Sequence, residues 1–157
     1  MLLRSRREFM AAVAPRGVLR KTDLAGWNEL SYEFADPAER FWCLPATEPD
    51  QGRFLCELFD CLDPWEQCWC FTRQMPWSFQ EWRRPRQLKS YRETIERRIL
   101  PHIPETFSGA LLVARSEMEV LVALALQSAC YEWGVAEDLY FIPDHCRQTV
   151  MICHELH

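Results

Sequence analysis

The stretch Gly109–Cys153, GALLVARSEMEVLVALALQSACYEWGVAEDLYFIPDHCRQTVMIC, decides the fold. Gly109 to Ala114 is a continuous apolar run, the pattern of a strand buried on both faces of a sheet. Ser116 and Glu119 have capping-box spacing, and the helix they predict is apolar nearly all round from Val120 to Leu126. Gly134 is expected to end that helix. Asp138–Ile142 and Thr149–Cys153 then read as two strands joined by the polar segment 143–148, an antiparallel hairpin.

Upstream, proline supplies the punctuation. Arg40–Leu44 is short, aromatic and stopped by Pro45, so it reads as a strand. Thr47 or Asp50 caps a predicted helix whose apolar positions are Phe54, Leu55, Leu58, Phe59 and Leu62, one helical face. Trp65–Arg73 reads as a strand, with Trp69 and Phe71 on one side and Cys68 and Cys70 on the other. An irregular basic, aromatic loop follows over 74–87. A further helix is expected to start at Ser90, which stands three residues before Glu93. Its stripe is Tyr91, Ile95 and Ile99, Glu93 and Arg97 form an i, i+4 pair, and Pro101 ends it. The expected fold is α+β: one domain over 1–157, with residues 1–30 a helical or irregular N-terminal extension. Its sheet is mostly antiparallel, of about five strands with three or four packed helices, in the order β-α-β-α-β-α-β-β.

Composition narrows the function classes. The chain has 157 residues, 48% of them hydrophobic, which is ample for a core. Its longest apolar run, Val120–Leu126, is far short of the roughly 20 residues of a membrane span. Ser5-Arg6-Arg7-Glu8-Phe9-Met10 imitates a twin-arginine signal, but the apolar stretch after it closes at Pro15-Arg16, so the N-terminus reads as mature and cytosolic. Eight cysteines (43, 56, 61, 68, 70, 130, 146, 153) with no secretion signal read as buried free thiols. Net charge is −5, unevenly spread: +5 over 1–21, −9 over 22–70, +4 over 71–105 and −5 over 106–157.

No catalytic residue and no cofactor is expected. There is no G-x-S-x-G, G-x-G-x-x-G or Walker A, and only five glycines from which to build a phosphate cradle. Cys61, Cys68, Cys70, His145, Cys146, Cys153 and His154 raise the question of zinc. Cys68-Trp69-Cys70 has a single intervening residue, however, and no second knuckle exists, so a small zinc protein is only an alternative. Arg73, Trp77, Phe79, Trp82, Arg83, Arg84, Arg86, Lys89 and Arg92 interleave stacking surface with positive charge, the pattern of a single-strand binder. The acidic whole weighs against a nucleic-acid partner, leaving that too an alternative. The favoured site is acidic. Glu48, Asp50, Glu57, Asp60, Asp63 and Glu66 surround Trp65, and Asp138 and Asp144 add to the rim, a docking surface for a basic protein.

The C-terminal pattern carries a resemblance. Gly109-Ala110-Leu111-Leu112, the acidic-capped helix, Trp133-Gly134, Asp138-Leu139-Tyr140-Phe141-Ile142-Pro143-Asp144 and Cys153-His154-Glu155 resemble small bacterial immunity proteins of polymorphic-toxin and contact-dependent systems, over residues 107–157. The resemblance implies a non-enzymatic cytosolic protein that blocks one cognate toxin by direct binding. It transfers no functional residue and leaves oligomeric state open.

Overall fold

The structure, a computed structural model, describes residues 1–15, 17–24, 27–34, 45, 47–72, 91–104, 107, 109–129, 139–145 and 147–152. It is an α+β fold. In chain order the elements are β1 (Leu2–Arg4), α1 (Arg6–Val13), β2 (Gly17–Leu24), β3 (Trp27–Phe34), α2 (Glu48–Asp60) and β4 (Gln67–Thr72). A helical segment, α3, follows as an α-turn (Arg92–Thr94), a π-turn (Ile95–Ile99) and a 3-10 turn (Leu100–His102). Then come β5 (Ala110–Ala114), a 3-10 turn (Arg115–Glu117) leading into α4 (Met118–Ala129), β6 (Leu139–Pro143) and β7 (Val150–Ile152).

Five strands form one antiparallel sheet in the order β1-β5-β4-β6-β7. Strands β2 and β3 pair separately, from Gly17 opposite Phe34 to Leu24 opposite Trp27. Strand alternation sends side chains to opposite faces of the main sheet. Cys68, Cys70, Leu111, Val113, Leu139 and Phe141 join one core with Leu55 and Phe59 of α2, Ile95 and Ile99 of α3, and Val120–Leu126 of α4. Phe71, Ala110, Tyr140 and Ile142 form the other, closed by Phe9 and Val13 of α1. There the rings of Phe9 and Phe71 lie 4.6 Å apart and Phe71 stacks on Tyr140 at 4.7 Å.

From α2 onward the described elements follow the expected order, and α4 is buried from Val120 to Gln127. The apolar face of α2 is as read, with Leu55 and Phe59 fully buried and Phe54, Leu58 and Leu62 packed beside them. The Glu93–Arg97 pair is present at 2.6 Å. Arg40–Leu44, Ser90, Gly134 and the 74–87 loop lie outside the described residues.

Two expectations are corrected. The first residues are not merely a helical or irregular extension: β1 is an edge strand, α1 covers a sheet face, and β2 and β3 pair. Ser5 and Glu8 form a full capping box that starts α1, the Ser5 hydroxyl accepting from the Glu8 amide at 3.2 Å while Glu8 accepts from the Ser5 amide at 2.8 Å. Ser116 and Glu119 form no such box, because a 3-10 turn precedes α4 and the carboxylate of Glu119 pairs with Arg98 instead. Pro101 ends the regular helix as expected: its missing N–H stops the ladder that closes at Leu100, and only the 3-10 turn Leu100–His102 carries past it.

Candidate functional site

The corner between α2 and β4 gathers most of the acidic residues singled out above. Helix α2 presents Glu57 and Asp60 to solvent, and the connection from Asp63 to Glu66 exposes both of its carboxylates. Asp60 meets Arg115 at 3.0 Å. Among the described residues the side chains of Glu57, Asp63 and Glu66 have no cationic partner, so three carboxylates face water uncompensated. Asp50 belongs to the opposite end of α2, where it accepts from Thr47 at 2.5 Å and pairs with Arg53. Those two contacts, the Thr47 hydrogen bond foremost, hold its carboxyl below the ordinary range. Glu48 is the first residue of α2, and Asp138 lies outside the described residues.

Trp65 is corrected. The sequence places it among carboxylates as a surface anchor, but it is 3% exposed and belongs to the core. Its indole N–H donates to the carbonyl of Phe59 at 3.1 Å, and its ring meets that of Phe59 edge-on at 6.3 Å. Arg115 covers the remaining face, its guanidinium 5.3 Å from the ring centroid. Trp65 therefore shapes the corner from beneath and offers nothing to a partner directly.

Asp144 also has a structural role. Its carboxylate accepts from the backbone amides of Glu66 at 2.8 Å and Gln67 at 3.0 Å, while its own amide donates to the Gln67 carbonyl at 2.7 Å. Gln148 accepts from the amide of Asp63 at 2.8 Å, and the Arg115 amide donates to the Glu66 carbonyl at 2.8 Å. The turn between β6 and β7, in which His145 takes a φ of 55°, thus braces the acidic corner from the side. Arg115 and Gln148 were not foreseen. Both act on groups far away in sequence, Gln148 on the Asp63 amide and Arg115 on Asp60, Trp65 and the Glu66 carbonyl, for which residue type and spacing carry no signal.

The other candidates separate. Cys68 and Cys70 point into the helix-covered core and Cys56 is half-buried, as expected of packed thiols, whereas Cys61 is exposed. Burial, with Asp60 and Glu57 nearby, pushes the Cys56 thiol up. Among the described residues no three His, Cys, Asp or Glu side chains converge as metal ligands. His145 is on the surface, while Cys146, Cys153 and His154 lie outside the described residues. So does the basic aromatic stretch from Arg73 to Lys89, and Arg92 pairs with Glu96 at 2.8 Å. No helix among the described residues is long and apolar enough to cross a membrane. No family model, curated protein or solved structure matches the chain.

Proposed function

We propose that this chain is a non-catalytic binding protein that docks a basic face of a protein partner on the corner formed by Glu57, Asp63 and Glu66. The observation that carries the reading is their combination of exposure and lack of counter-charge on a backbone braced by Asp144, Gln148 and Arg115. Like charges on a pre-ordered corner attract a cationic partner at long range, and little ordering remains to oppose binding. Asp60 contributes less, because Arg115 already neutralises it.

The finer form of the proposal is an immunity protein that covers the working surface of a cognate toxin. Its support is the C-terminal strand–helix–hairpin pattern, together with the acidic net charge. Affinity capture from extract of the native host, with the wild-type chain and with a Glu57→Lys/Asp63→Lys/Glu66→Lys variant side by side, tests both levels. A basic protein retained by the wild type and lost from the variant supports the docking surface. If that protein is toxic when expressed alone and harmless when co-expressed, the immunity reading stands. Equal retention by both baits overturns the corner.

A further inference from the structure

The register of the sheet gives the molecule two unlike ends. Along β5, Ala110 lies opposite Arg4, whereas Ala114 lies opposite Gln67, the residue after Glu66. The acidic corner therefore occupies one end of the strands, and the junction of β1 with α1 occupies the other. That second end is basic. Arg6 and Arg7 are exposed in the first turn of α1 and have no anionic partner among the described residues. Met10, one turn on from Arg6, is 41% exposed, while Leu2 and Leu3, 52% and 37% exposed, lie along the edge strand between the two ends, opposite Leu112 and Leu111. Among the described residues, three of the four exposed large apolar side chains thus fall within the first ten residues, Met10 on the same helix as the two unneutralised arginines. The acidic end has the converse character, with Glu57, Asp63 and Glu66 equally unneutralised.

We propose that copies of this chain associate head to tail, the α1–β1 end of one seated against the acidic corner of the next. Charge complementarity selects the occupant: the chain itself carries the surface opposite to each end. Met10, on the helix of the arginines, adds apolar area that association removes from water. Because the complementary surfaces stand at opposite ends of the strands, the contact is heterologous and forms short open chains, not a closed two-fold dimer. This goes beyond the partner-binding role and shares only the acidic corner with it.

Sedimentation velocity of the purified full chain over a concentration series, at low and high salt, tests the proposal. At low salt the average mass should rise with concentration, and salt should return it to the monomer. Arg6→Glu/Arg7→Glu and Asp63→Arg/Glu66→Arg should each be monomeric throughout, while an equimolar mixture of the two associates again, since each reversed end now meets its complement. Such recovery requires both variants to be folded. A wild type that is monomeric at every concentration overturns the proposal. So does association that survives both reversals, or a mixture that stays monomeric. A wild type that captures no basic protein yet self-associates as described would instead count against the partner role alone.

Discussion

The carboxyl of Glu117 accepts a hydrogen bond from the Met1 α-ammonium and another from Arg98 at 3.2 Å, tying β1 and α3 to the turn that leads into α4. Burial alone would raise its pKa. The Met1 ammonium, the Ala114 backbone and Arg98 more than offset that and hold it below the ordinary 4.5. A depressed carboxyl stabilises the fold above its unfolded pKa, and that contribution disappears as pH falls through the folded value. Glu117→Gln should therefore lower the urea midpoint at pH 7 yet make it less sensitive to acidification below about pH 4.5, the range set by the unfolded carboxyl. Parallel wild-type and variant curves across that range would sink the assignment. Gly109 is a second single-residue constraint. A Cβ there would stand 2.1 Å from the Arg4 carbonyl oxygen and 2.7 Å from the Phe107 ring, so β1 can approach only a bare backbone. Gly109→Ala should displace β1, seen as faster amide exchange at Leu2–Arg4 than in the wild type; unchanged protection would contradict the contact.

Between elements, the clasp of Asp144 on the first amides of β4 and the docking of α1 on the sheet can be tested separately. Asp144→Ala leaves the Glu66 and Gln67 amides without their carboxylate, and charge-assisted hydrogen bonds of this kind contribute about 1.5–3 kcal/mol. Exchange at those two amides should quicken in Asp144→Ala and recover largely in Asp144→Asn, which keeps an acceptor oxygen. Exchange that is the same in all three proteins would remove the clasp from the account. Phe9 lies 4.6 Å from Phe71 and 5.7 Å from Trp69, ring centre to ring centre, and is fully buried. Phe9→Ala should cost about 3–5 kcal/mol in chemical denaturation, and a loss under ~1 kcal/mol would mean that α1 does not close this face. At this scale legibility follows the length of the pattern. Helix α4 and the β6–β7 hairpin announce themselves because long apolar or alternating runs permit few structures. Strand β1, with three residues, carries no period at all. The Ser5–Glu8 capping box was readable, but the adjacent arginines draw the eye to an export signal. Trp65 misleads for a different reason: its neighbours in sequence are acidic, while its neighbours in space are Phe59 and the guanidinium of Arg115.

For the molecule as a whole, the cysteines report which regions open together. Cys68 and Cys70 project from the central strand into the core shared by α2, α3 and α4, Cys56 lies half-buried on α2, and Cys61 is exposed just past the end of that helix. Composition argues for buried thiols in general, but only the packing of α2 against the sheet distinguishes these four. A thiol reacts as its thiolate, so access and pKa act together. Cys61 should alkylate at once in the native protein. Cys56 should lag, because burial and the nearby Asp60 and Glu57 disfavour its thiolate. Cys68 and Cys70 must wait until the sheet and its helices separate, so their labelling should follow global unfolding with a single shared rate. Mapping alkylation by fragment mass spectrometry along a urea series distinguishes the possibilities. If Cys68 and Cys70 label together at the denaturation midpoint, the helix-covered core opens as one unit. If either labels in native buffer as fast as Cys61, β4 cannot be the protected centre of the sheet. Because α1 leans on the opposite face of the same strand, Phe9→Ala should shift the labelling of Cys68 and Cys70 to lower urea without changing that of Cys61. A shift of that kind would show that the two cores, though separate in composition, stand or fall through the strand they share.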